Sequence, residues 1–177
     1  DFAFTKRTGR NTKKREEVDA ELVRIEEEFT KEFEDGIRDG HIRDPFTDFN
    51  FKHDDVQNNF PTMAGYKPIL VAELTEGTPI HQRMLIFSRT KLKDPKINEI
   101  KKIIMEIKSK QDFQYTWIGL MSGSGFSWEV LEYNSRFNER GIGFGLVDAV
   151  TKKLYVNKKT NEGKKLNQMF LSECITS

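Results

Sequence analysis

One stretch constrains the fold more than any other: Gln114-Tyr115-Thr116-Trp117-Ile118-Gly119-Leu120-Met121-Ser122-Gly123-Ser124-Gly125-Phe126-Ser127-Trp128-Glu129-Val130-Leu131. It opens as an apolar, aromatic-rich run of strand length. It breaks at a Ser/Gly loop and restarts as a helix. Ser127 suits the N-cap, because its hydroxyl can accept a bond from one of the first free helical N–H groups. Phe126 before it can staple the entry of the chain. A second apolar run, Ile142 to Val150, follows the helix. Strand, helix and strand at this spacing predict a parallel crossover. Parallel strands are covered on both faces, so this unit belongs at the centre of the domain. The strands from about Tyr115 to Met121 and from about Ile142 to Val147 are therefore expected to be parallel neighbours.

The rest of the chain supplies elements to surround that unit. Residues 1–15 form a polar, basic lead-in with Lys6, Arg7, Arg10, Lys13, Lys14 and Arg15, and residues 16–177 form a single domain. A long amphipathic helix is expected from about Thr12 to Ile37. Val18, Leu22, Ile25, Phe29, Phe33 and Ile37 recur at three- and four-residue steps and make one apolar stripe. Glu16, Glu17, Glu21, Glu26, Glu27 and Glu28 are assigned to the solvated face; one of them turned inward would offer a metal ligand. Gly36 and Gly40 are stop signals. Residues 38–66 are irregular, with a short strand expected where Phe46-Thr47-Asp48-Phe49-Asn50-Phe51 alternates.

Two strands, Lys67 to Leu74 and Ile80 to Arg89, read as an antiparallel hairpin with a loop of about five residues. Asp94 and Pro95 should start the next helix, with Ile97, Ile100, Ile103, Ile104 and Ile107 as its core stripe. After the central unit come a short strand, Leu154-Tyr155-Val156, and a last helix from about Glu162 to Ser172. The fold class is α/β: a central mixed sheet flanked by helices, with a long helix at the front.

Composition narrows the chemistry. There are 29 basic and 28 acidic residues, a net charge of +1. Nucleic-acid binding would need a local basic patch rather than the field of the whole molecule. Arg89, Lys91, Lys93 and Lys96 form such a cluster. The single cysteine, Cys174, leaves no intrachain disulfide and no Cys-based zinc site. No apolar run reaches the roughly 18 residues of a membrane span, and the first residues carry no apolar signal-peptide core. An intracellular setting, in the cytoplasm or the nucleus or nucleoid, is the expectation. His41, His53 and His81 are too scattered for a ligand cluster, although His53 has Asp54 and Asp55 beside it. Gly141-Ile142-Gly143-Phe144-Gly145 precedes a strand, so it is not a dinucleotide fingerprint. The Ser122-Gly123-Ser124-Gly125 loop could hold a phosphate on its free N–H groups, or serve only as a tight strand-to-helix connection. A small-ligand or nucleotide domain built on that loop is one possible function.

The order of elements, with Met121-Ser122-Gly123-Ser124-Gly125-Phe126-Ser127 and Phe144-Gly145-Leu146-Val147-Asp148, resembles the restriction-endonuclease-like core of the PD-(D/E)xK superfamily. The Mrr-type endonucleases are the nearest likeness, over roughly residues 65–157. The resemblance implies a DNA-binding domain, compatible with a homodimer, that acts as a Mg²⁺-dependent endonuclease hydrolysing phosphodiester bonds. In that family one carboxylate and an acid-x-Lys hold the cation, which polarises the phosphate and activates water. This chain departs from the motif. Gly65-Tyr66-Lys67-Pro68 has no Asp, Ile86 and Ser88 stand where acid and Lys belong, and Glu73-Leu74-Thr75 has Thr in place of Lys. Asp48, Asp54, Asp55, Glu73 and Glu76 are the nearby acids. Asp55 and Glu73 are the candidate metal ligands, and Asp55, Glu73, Glu76 and Arg89 the candidate catalytic set. Arg89, Lys91, Lys93, Lys96, Ser122 and Ser124 are the candidate nucleic-acid contacts. The alternative is a catalytically inactive module of the same fold that serves in binding.

Overall fold

The computed structural model of the chain describes residues 2–46, 49–93, 96–110 and 112–170. Its centre is the crossover. Strands β3 (Leu70–Leu74), β4 (Gln82–Ser88), β5 (Tyr115–Ser122), β6 (Ile142–Asp148) and β7 (Lys153–Val156) form one sheet in that order. The pairings β4–β5 and β5–β6 are parallel, and the two outer pairings are antiparallel. Thr116 stands opposite Ile142 and Ser122 opposite Asp148, so the expected parallel neighbours are neighbours. Helices α2 (Ile97–Lys110) and α3 (Trp128–Arg136) make the two crossovers. Before the sheet come α1 (Phe2–Arg38) and a two-stranded ribbon of β1 (Ile42–Arg43) and β2 (Asn50–Phe51); α4 (Asn161–Phe170) closes the fold.

Alternation along the strands divides the core into two layers. Met84, Ile86, Trp117, Met121 and Val147 face Phe29, Phe33 and Ile37 of α1 and Leu166 and Met169 of α4. Leu85, Phe87, Ile118, Leu120, Phe144 and Leu146 face the isoleucines of α2 and Val130 of α3. β4, β5 and β6 are buried on both faces apart from their ends, as central parallel strands must be. Asn134 of α3 adds a buried bond from its Nδ2 to the Phe144 carbonyl, 2.9 Å.

Several boundaries differ from expectation. α1 begins at Phe2, not near Thr12. Lys and Arg are good helix formers, so a polar, basic lead-in is no reason for a helix to stop. Gly36 does not end it either; Gly40, with φ of 75°, does. The hairpin loop spans residues 75–81, because Thr78 exchanges hydrogen bonds with Ile80 and delays the second strand. Among the described residues of the Phe46–Phe51 stretch, Asn50 and Phe51 join a strand. Asp44 Oδ1 accepts from the Phe46 N–H at 2.9 Å, a local turn that ends the ladder. Phe46 stacks instead on Tyr115, ring centroids 4.2 Å apart. Asp48, Asp94 and Pro95, and residues 171–177 with Cys174, lie outside the described residues. Among those described, no helix is long and apolar enough to cross a membrane.

Candidate functional site

The three parallel strands end together at Ser88, Ser122 and Asp148, and open α/β sheets place their sites at this edge. The chain leaving β4 folds at once into a tight turn. Leu92 donates from its N–H to the Ser88 carbonyl at 3.1 Å and Lys93 to the Thr90 carbonyl at 2.9 Å. Buried Leu92 anchors the turn, and Lys93 takes a left-handed φ of 58°. Arg89, Thr90 and Lys91 are thus held along the rim rather than left in a free loop.

The loop after β5 is equally determined. The Ser122 hydroxyl donates to the Gly125 carbonyl at 2.6 Å and accepts the Ser124 N–H at 3.1 Å. Gly125 has φ of 85°, which suits glycine. Ser127 caps α3 as expected, its Oγ accepting from the Val130 N–H at 3.4 Å.

Between the two loops sits a side chain that sequence reasoning assigned to solvent. Glu26 of α1 is fully buried. Its Oε1 accepts from the Ser88 hydroxyl at 2.6 Å and from the Thr90 N–H at 3.1 Å. Its Oε2 accepts from the Thr90 hydroxyl at 2.7 Å and from the Gly123 N–H at 2.8 Å. A carboxylate offers about four lone-pair directions, and all four are taken by donors of this chain. Two of the N–H groups expected to hold a phosphate are therefore occupied. Gly123 serves Glu26 and Ser124 serves the Ser122 hydroxyl, so the protein itself takes up these two donors. The signal was in the sequence: Glu26 follows Leu22 by four residues and precedes Phe29 by three, which puts it on the apolar stripe.

This arrangement leaves Glu26 unable to serve as a ligand to a divalent cation. Mg²⁺ needs carboxylate oxygens with lone pairs to give, and Glu26 has none left. Among the described residues, no three His, Cys, Asp or Glu side chains converge in a way that could hold a metal.

The candidate residues fall into two groups. Arg89, Lys91, Ser122 and Ser124 come together at the edge. Arg89 Nη1 donates to Ser124 Oγ at 2.6 Å, and Lys91 pairs with Glu27 of α1. Lys93 and Lys96 flank them and are exposed. Asp55, Glu73 and Glu76 lie toward the other end of the sheet. Glu73 stands opposite Arg83, five residues before Ser88, or about 17 Å along the strand. Asp55 leads into Val56, which bridges to Ala72. Its Oδ2 accepts the Lys52 N–H at 2.8 Å. Burial pushes its carboxyl above the usual range, against the pull of that bond and of the Lys52 charge, while the Asp54 and Glu76 charges add to the rise. The structure therefore does not gather these acids with Arg89. His53 meets Arg38 instead of an acid, its Nδ1 3.1 Å from Nη1.

Beside the edge, between α1 and the start of β3, lies a hollow of about 330 Å³. Phe60, Pro68 and Ile69 give it apolar surface, Lys31, Lys67 and Lys91 positive charge, and Glu27, Thr30 and Glu34 of α1 the rest of its wall. No family model, curated protein or solved structure matches the chain.

Proposed function

We propose that this chain is a restriction-endonuclease-like module that binds nucleic acid at the C-terminal edge of its sheet and does not cut it. The support for the fold reading is the mixed five-stranded sheet with two parallel crossovers and helices on both faces. The support for binding is the rim formed by Arg89, Lys91, Lys93 and Lys96 beside polar Ser122 and Ser124. Near-zero net charge makes that rim the source of any attraction to phosphate.

The observation that carries the non-cutting half is the saturated carboxylate of Glu26. An endonuclease of this kind needs acids with free lone pairs beside a Lys at the strand end. Here the buried acid is spent on four protein donors and Ser88 replaces the Lys. Glu73, one of the candidate metal ligands, is about 17 Å away along the strand. Mg²⁺ has no part in this reading, and the chain acts by holding its ligand.

The test combines binding with cleavage. Labelled DNA is titrated with the protein at rising salt, with Mg²⁺ or Mn²⁺ present, and the same samples are run on a denaturing gel. Binding that weakens steeply with salt and leaves the strands whole is expected, since each phosphate contact releases counterions. Metal-dependent scission that disappears in Glu26→Gln would overturn the non-cutting reading. Absence of binding even at low salt would overturn the nucleic-acid reading.

A further inference from the structure

We infer that the ligand of this edge is a single strand rather than a duplex, with one unstacked base seated in the hollow at Phe60 and another stacked on Trp128. The inference rests on the nucleic-acid reading above and adds to it the form of the ligand.

Two aromatic groups flank the cationic rim. Trp128 is 72% exposed, although burial of so large a ring is strongly favoured. It stands in the first turn of α3, four residues after Ser124, whose hydroxyl takes the Arg89 guanidinium. At the other end, Phe60 lines the hollow with Lys67 over its ring at 5.8 Å. Lys91 belongs both to the hollow and to the rim, so the two are continuous. The order along the edge is aromatic, cation, cation, polar loop, aromatic.

That order is what a single strand requires. Its phosphates need a charged track and its bases need faces to stack on, whereas a duplex keeps its bases paired and stacked on one another. The hollow, at about 330 Å³, lies at the small end of the range for ligand sites, which suits one base. Its apolar surface would take the ring and its lysines the adjoining phosphate. Lys31 pairs with Glu34 at 2.9 Å and with Asp35 at 3.1 Å, and Lys91 with Glu27. These are solvent-reached pairs that hold their partners only weakly, so a phosphate can displace the carboxylates.

The experiment uses the whole chain and three probes: fluorescein-labelled oligothymidylate, the same strand annealed to oligoadenylate, and free thymidine monophosphate. Tighter binding of the single strand is expected. Phe60→Ala and Trp128→Ala should each weaken it about fivefold or more and leave duplex binding unchanged, in line with stacking energies of about 1–3 kcal/mol per base. Trp117 is fully buried, so quenching of intrinsic fluorescence by the oligonucleotide should come from Trp128 and vanish in Trp128→Phe. Trp128 is exposed, so its variants keep the test open if Phe60→Ala does not fold. Equal or tighter binding of the duplex, with both alanine variants neutral, would overturn this inference and leave the nucleic-acid reading standing. Free monophosphate binding as tightly as the oligonucleotide would also overturn it. Failure of every probe to bind would remove the nucleic-acid reading itself.

Discussion

The carboxylate of Glu26 accepts the backbone N–H of Gly123 at 2.8 Å, across 97 residues of chain. Through the same carboxylate α1 also holds Ser88 and Thr90, so one side chain fixes the ends of β4 and β5 relative to the first helix. Glu26→Gln should cost about 3 kcal/mol, because the amide nitrogen cannot accept and leaves buried donors unpaired. Glu26→Ala should cost more. Urea denaturation measures both. A loss under about 0.5 kcal/mol for the Gln variant would mean that the four bonds do not lock the edge.

A second prediction concerns how closely the Trp117 ring covers Gly143 of β6. A Cβ on Gly143 would lie 2.5 Å from Cε3 and 2.7 Å from Cζ3 of Trp117. Trp117 is fully buried and its Nε1 donates to Gln82 Oε1 at 2.9 Å, so the ring has no room to turn. Gly143→Ala should destabilise by about 1–3 kcal/mol, the usual cost of overpacking a well-filled core. The thermal midpoint reports it, and a neutral result would show that the indole can shift.

The central unit was legible because several local signals agree there. The apolar run, the Ser/Gly break, the Ser127 cap and the second apolar run all demand one crossover, and β5–α3–β6 is that crossover. The stripe of α1 was legible for its buried half, Phe29, Phe33 and Ile37. Val18 follows the same period yet is 50% exposed, since periodicity marks a face and not what covers it. Glu26 was hidden by its neighbours: among six glutamates it reads as part of a solvated face. Only its register with Leu22 and Phe29 sets it apart, and its donors come from loops 62 to 97 residues away. The separation of Asp55, Glu73 and Glu76 from Arg89 depends on hairpin register, which short-range patterns do not supply.

The third prediction follows from Asp55. Burial raises its carboxyl pKa, so the folded state binds that proton more tightly than the unfolded chain. Its contribution to stability is full below the ordinary aspartate value and is lost as pH rises through the raised one. Asp55→Asn removes this titration and can still accept from the Lys52 N–H. The variant should therefore be more stable than the parent near neutral pH, and the gap should close as pH falls into the acid range. Urea midpoints measured across pH check the sign. An advantage that grows with acidity would contradict it.

The rim after β4 is expected to meet phosphate without cutting. Equilibrium binding of labelled DNA, with Mg²⁺ present throughout, is compared for the parent chain, Arg89→Glu/Lys91→Glu and Lys158→Glu/Lys159→Glu. The second pair follows β7 and lies outside the rim. The first double variant should lose at least about tenfold in affinity and show a shallower salt dependence, because about two phosphate contacts are gone. The second should stay within about twofold of the parent, as fits charges outside the binding rim. The DNA should remain intact in all three. Equal losses from the two double variants, affinity that ignores salt, or Mg²⁺-dependent scission by the parent chain would contradict the account.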